Sequence, residues 1–193
     1  ANYYCDIQGR HMANWKPLRL SDVINDIKEN KFVLPVIQRR LVWTEEKMEI
    51  LFDTLLKGAS FGSIVVIEEE KDSEPLFSFR SFTLDGNPIS SNMVKKLDQM
   101  QYFVIDGQQR LQSFYIGLEG SINNKKLYFD LFSDYDEEFA FKFSDKEDSL
   151  PDSSEYKGSR ISKKCLWYPV KALFTELKRK NDDRKIAKDI ISK

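Results

Sequence analysis

Apolar positions alternate between two periods along this chain, one of helices and one of strands. Leu20, Val23, Ile24 and Ile27 share one face of a 3.6-residue period, with Ser21 or Asp22 available as a cap, so a helix is predicted over 21–30. Phe32-Val33-Leu34-Pro35 reads as a short extended piece ended by proline. Thr44 is a good N-cap, and Trp43 before it and Met48 after it can form a hydrophobic staple. Met48, Leu51, Phe52, Leu55 and Leu56 then make one apolar face, closed by Gly58. Ile64–Glu68 reads as a buried strand, Phe77–Phe82 as a more exposed one, and Asp85–Ser91 as a turn. A short helix is expected around Asn92–Gln99. Tyr102–Ile105 is a strand and Gln108–Leu118 a helix. The aromatic-rich runs Leu127–Phe132 and Phe139–Phe143 suit a hairpin.

Beyond residue 144 the pattern changes. Residues 146–164 are polar with few apolar side chains and read as a long loop, which separates a main domain (13–145) from a C-terminal helical extension (165–193). In the extension, Leu166–Tyr168 is extended, Val170–Lys180 is a helix with Leu173, Phe174 and Leu177 on one face, and 182–193 is helix-like. The fold class expected is α+β: a small mixed sheet packed with helices, plus that extension.

Composition narrows the chemistry. The chain has 193 residues, 41% hydrophobic and 13% aromatic, enough for the core of one domain. It carries one histidine, His11, and two cysteines, Cys5 and Cys165, too few for a Cys/His zinc site or a disulfide framework. Residues 7–12, Ile-Gln-Gly-Arg-His-Met, resemble an expression-vector linker and cloning junction, with Gln8 where such a linker has Glu. On that reading 1–12 stand outside the fold and no histidine remains. Cys165 is expected to be a structural or incidental thiol with no redox role. The longest aliphatic run, Ile64–Ile67, is far short of a membrane span, and a soluble, cytoplasmic protein is expected. Near-neutrality hides asymmetry. Residues 130–155 hold ten acidic against two basic residues, a net −8, and 160–193 hold eleven basic against four acidic, a net +7. Solvated or mutually docked faces explain this, and so does a basic segment that approaches nucleic acid.

The most informative segment is Tyr102-Phe103-Val104-Ile105-Asp106-Gly107-Gln108-Gln109-Arg110-Leu111. An apolar strand ends in Asp, turns at Gly and enters a helix, whose N-terminus offers free N–H groups and partial positive charge to an anion. Arg110 can fork onto a phosphate, Asp106 can hold a metal ion or a ribose hydroxyl, and Gln108 or Gln109 can orient a water. The plainer alternative is that Asp106 caps the helix and Arg110 pairs with a carboxylate. One glycine is not a Walker A loop. A second polar cluster, Gln38-Arg39-Arg40, lies between apolar neighbours ahead of Trp43 and suits an anion-binding loop.

Taken together, L-P-x-x-Q-R-x-x-x-W from Leu34 to Trp43, F-G-S-I from Phe61 to Ile64 and V-I-D-G-Q-Q-R-L from Val104 to Leu111 resemble the N-terminal domain of GmrSD-type modification-dependent restriction enzymes. The resemblance runs from about Leu20 to Leu131 and extends toward Leu173 through Trp167-Tyr168-Pro169-Val170. It implies a ParB/sulfiredoxin-like fold and a module that binds and hydrolyses a nucleoside triphosphate with Mg²⁺. Asp106, Gln108, Gln109 and Arg110 would be catalytic, with Asp106 toward the metal. Gln38, Arg39, Gly107 and Arg110 would bind phosphate. It also implies work on foreign DNA. The family often has Pro-Tyr where this chain has Arg40-Leu41, which leaves Arg40 without an implied role. The family's usual partner, an HNH-type nuclease domain, has no counterpart here, so a fragment or a regulatory component of a separate nuclease is expected, possible as a homo-oligomer. Two other functions compete: a non-catalytic DNA-binding sensor and, with less in its favour, a direct nuclease.

Overall fold

The computed structural model describes residues 16–37, 42–133, 139–151 and 165–179. The N-terminal stretch 1–12, the Gln38-Arg39-Arg40 cluster, loop residues 152–164 and the tail 182–193 lie outside the described residues.

Element order is α1 (Leu20–Lys28), β1 (Phe32–Pro35), α2 (Glu45–Leu56), β2 (Val65–Glu69), β3 (Phe79–Arg80), β4 (Gln101–Asp106), α3 (Gln108–Glu119), β5 (Lys126–Asp130), β6 (Phe141–Ser144), a 3₁₀ turn (Glu147–Ser149), β7 (Trp167–Pro169) and α4 (Val170–Arg179). Two sheets form, ordered β2-β4-β1-β3 and β6-β5-β7. The first is mixed, because β1 runs parallel to β4 while β2 and β3 are antiparallel to their neighbours. The second is antiparallel throughout. The α+β expectation therefore holds, with two small sheets in place of one.

The continuous apolar runs of β1 and β4 are explained by burial on both faces. Phe32, Leu34 and Val104 enter the main core with α1, α2 and α3, while Val33 and Phe103 point to a second cluster with Phe79 and Leu97. That second cluster decides the fate of 92–99, where no helix forms. Leu97 is the one residue of this segment driven down onto the sheet, and its backbone is spent on bonds to the 72–73 turn: Asp72 N–H donates to Leu97 O and Leu97 N–H to Ser73 O. Asn92 forms a bridge with Phe79, and the strand expected over 77–82 shrinks to two residues. The 64–68 strand is found, but as an edge strand: Val65 is exposed and the next two residues are only partly covered.

Thr44 caps α2 as expected, its hydroxyl accepting from Lys47 N–H at 3.4 Å. Met48 is fully buried, and Trp43 packs on the same cluster. Along α2, Glu45, Glu49 and Asp53 lie four residues apart; Glu45 pairs with Lys125 in the turn before β5, and the other two serve the region of β6. Glu49 accepts from Phe143 N–H at 2.9 Å and pairs with Lys142 at 2.8 Å, and Asp53 accepts from Phe139 N–H at 3.0 Å. One carboxylate thus occupies a donor on the open edge of β6 and another a donor just before the strand, positions that would otherwise be open to pairing with another strand. The 166–168 segment joins β5 as β7. Buried Asp130 at the end of β5 secures the junction by accepting from Phe132 N–H at 3.0 Å and Leu166 N–H at 2.8 Å.

Candidate functional site

Because β1 and β4 are parallel neighbours, paired Phe32 to Tyr102 and Val33 to Phe103, their carboxyl ends emerge at one edge of the sheet. The segment leaving β1 and the turn leaving β4 therefore meet there. Between them lies a cleft of about 440 Å³. One wall is Ile105, Asp106, Gly107, Gln108, Gln109 and Arg110, and the other is Ile37, Val42 and Trp43. Carboxyl ends of parallel strands are where open sheets leave a crevice for ligands. All four expected catalytic residues and Gly107 share this cleft. Gln38 and Arg39 lie outside the described residues, between the lining residues Ile37 and Val42.

Gly107 is the N-cap of α3 at φ 87°, a left-handed conformation that glycine adopts without strain. With no side chain, it does not cap, and Asp106 does not take over that task; the other half of the plainer alternative does hold, because Arg110 pairs with a carboxylate, that of Asp106. The first helical bond runs from Leu111 N–H to Gly107 O at 3.0 Å, so the N–H groups of Gln108 and Arg110 have no acceptor within the helix.

Arg110 is tightly held. One terminal nitrogen donates to Phe61 O at 2.7 Å, and the other pairs with the Asp106 carboxylate at 3.1 Å. The Arg110 side chain is 16% exposed and that of Asp106 68%, so the guanidinium is set in a socket while the carboxylate stands in solvent. A guanidinium carries five N–H donors, and these two bonds fix its plane with donors to spare for an anion. The amides next to it are also committed. Gln108, nearly buried, donates to Val104 O at 2.6 Å, and Gln109 accepts from Val42 N–H at 2.9 Å, tying the two walls together.

The Phe61-Gly62-Ser63-Ile64 run, quoted above only as part of a pattern, turns out to build the socket. Phe61 supplies the carbonyl for Arg110. Gly62, at φ 88°, lets the guanidinium lie against its backbone, since a Cβ there would stand 2.5 Å from Nη1. Ile64 packs directly on Gly107. Two glycines, on separate segments, therefore hold the arginine and the turn in contact. The signal in the sequence was the aromatic-glycine pair itself, with nothing nearby to say which side chain it served.

Among the described residues no group of three or more His, Cys, Asp or Glu side chains is arranged to hold a metal ion. Mg²⁺ usually takes one or two carboxylates and completes its shell with water and phosphate oxygens, and the exposed Asp106 carboxylate suits that mode. No helix among the described residues is long and apolar enough to cross a membrane.

Fold and cleft together define an α+β domain with a strand–glycine–helix site at the carboxyl edge of its mixed sheet. Residues 20–192 match the family described as the GmrSD restriction endonuclease N-terminal domain, and the chain belongs to that family. Over 99 residues it is also 27% identical to an uncharacterized protein of Methanocaldococcus jannaschii. That stretch is 51% of this chain and 16% of the relative, which is much the longer of the two.

Proposed function

We propose that this domain binds a nucleoside triphosphate at the Gly107 turn and hydrolyses it, as the nucleotide-dependent part of a DNA-restriction system whose nuclease centre lies elsewhere. The observation that carries the reading is the grouping, in one cleft, of an uncapped helix N-terminus, a socketed guanidinium and an exposed carboxylate. Helix N–H groups and a fixed arginine attract phosphate oxygens, and glycine leaves the backbone open to close approach. Hydrolysis joins a water oxygen to the γ-phosphorus and breaks its bond to the β–γ bridging oxygen, giving a nucleoside diphosphate and inorganic phosphate. Arg110, already oriented by Phe61 O and Asp106, stabilises the charge that grows on the transferred group and spends no reorganisation doing so. Asp106 would hold Mg²⁺, which would supply charge neutralisation to the phosphates, or would hold the attacking water. Gln109 sets the spacing of the walls through Val42, and Gln38 and Arg39 would close the pocket from the other side.

The test is phosphate release from ATP, GTP, CTP and UTP in Mg²⁺ buffer. Turnover with at least one of them, lost in Asp106→Ala and in Arg110→Ala, is the expected result. No turnover and no binding with any nucleotide, or turnover unchanged in Asp106→Ala, would overturn the reading.

A further inference from the structure

The two walls of the cleft differ in chemistry. The turn from Asp106 to Arg110 is polar and offers backbone N–H groups, whereas the facing wall presents Ile37, Val42 and Trp43. Ile37 is 69% exposed and Val42 65% exposed. Single exposed aliphatic residues are ordinary, but two of them beside a half-buried tryptophan, on one wall of a cleft, make an apolar shelf. Two of its three residues are anchored. Trp43 packs against the main core, and Val42 N–H is bonded to Gln109, a residue of the opposite wall. Its distance from the Gly107 turn is therefore set by the same contacts that build the turn.

We propose that Ile37, Val42 and Trp43 seat the flat ring of a nucleobase, so that the site selects nucleoside triphosphates over bare polyphosphate. This rests on the reading of the Gly107 turn as a phosphate seat. A cleft of about 440 Å³ falls in the usual range for small-molecule sites, about 300–1,000 Å³. A polyphosphate chain would satisfy the polar wall and leave the shelf in water. A nucleotide fills both, with charge at the turn and a π-face on apolar and aromatic side chains. Such stacking tolerates any base, because every base has a flat face.

The experiment titrates the full chain, in Mg²⁺ buffer, with inorganic tripolyphosphate and with the β,γ-imido analogues of ATP, GTP, CTP and UTP. The best-bound analogue should bind roughly tenfold or more tightly than tripolyphosphate, the scale of one stacked base. That advantage should vanish in Ile37→Ser/Val42→Ser, whose side chains lie at the surface, and in Trp43→Ala, and largely survive in Trp43→Phe. The surface double variant keeps the proposal falsifiable if Trp43→Ala fails to fold. Equal affinity for tripolyphosphate and nucleotide, with both lost in Arg110→Ala, would overturn the ring seat and leave the phosphate seat standing. Absence of binding by either ligand would overturn both.

Discussion

Replacing Gly62 by alanine probes the socket that fixes Arg110. Residue 62 sits at φ 88°, and an alanine there is strained by about 1–2 kcal/mol. Its Cβ would also stand 2.5 Å from Nη1 of Arg110. The guanidinium is the far end of a flexible side chain and can swing away, but only by giving up its 2.7 Å bond to Phe61 O. A hydrogen bond from a charged donor contributes about 1.5–3 kcal/mol. Gly62→Ala should therefore cost about 3 kcal/mol in all. Gly58→Ala isolates the strain, because Gly58 also has positive φ (65°) and its Cβ would meet nothing within 4 Å. It should cost only about 1 kcal/mol. Urea denaturation followed by circular dichroism measures both. Nucleotide affinity should fall in Gly62→Ala and stay at the wild-type value in Gly58→Ala. Equal destabilisation of the two variants, or normal nucleotide affinity in Gly62→Ala, would refute the socket.

Gly107→Ala should be worse tolerated than Gly62→Ala, because its Cβ would strike Ile64 against a left-handed backbone; a loss of about 3 kcal/mol or more in thermal or urea unfolding is expected. Asp106→Ala should leave folding nearly intact, within about 1 kcal/mol, since its carboxylate is largely solvated and Arg110 keeps its bond to Phe61 O. Glu49→Ala removes the acceptor of a buried β6 N–H and should cost about 2 kcal/mol, with Glu49→Gln recovering part by keeping an acceptor oxygen, as unfolding midpoints would show. Glu45 carries a pH dependence. Burial pushes its carboxyl pKa upward, but hydrogen bonds from Lys125 and Asn123 and the charge of Lys125 outweigh that and hold it below the ordinary 4.5. A depressed pKa stabilises the fold above the unfolded value, and that stabilisation is lost as pH falls through the folded one. Wild-type protein should therefore lose stability on acidification below about pH 4.5, and Glu45→Gln should lose less over the same window, read by urea midpoints at pH 3–7.

Where local pattern and tertiary context agreed, the chain was legible. The Thr44 cap, the β4 strand, the glycine turn and α3 all followed from spacing and turn chemistry. So did the hairpin of β5 and β6. Context won elsewhere. Residues 92–99 have helix-compatible residues, yet Leu97 is claimed by the second core and the segment runs irregularly over the sheet. The pairing of β7 with β5 spans a polar loop and rests on buried Asp130, a contact between distant residues that no local window contains. The site divided the same way. Asp106 to Arg110 could be named from one decapeptide, but not the partnership of Arg110 with Phe61 and Gly62, which depends on how the strand edges meet. Nor could the sequence show that both glutamines are bonded to protein groups, Gln108 to β4 and Gln109 to Val42.

The central claim is that nucleotide phosphates sit on the Gly107 turn. Backbone amide chemical-shift mapping with a β,γ-imido nucleotide and Mg²⁺ tests it most directly. The largest shifts are expected at the amides of Gly107, Gln108, Gln109 and Arg110. Saturable binding that leaves these four amides unmoved and perturbs another surface would contradict it.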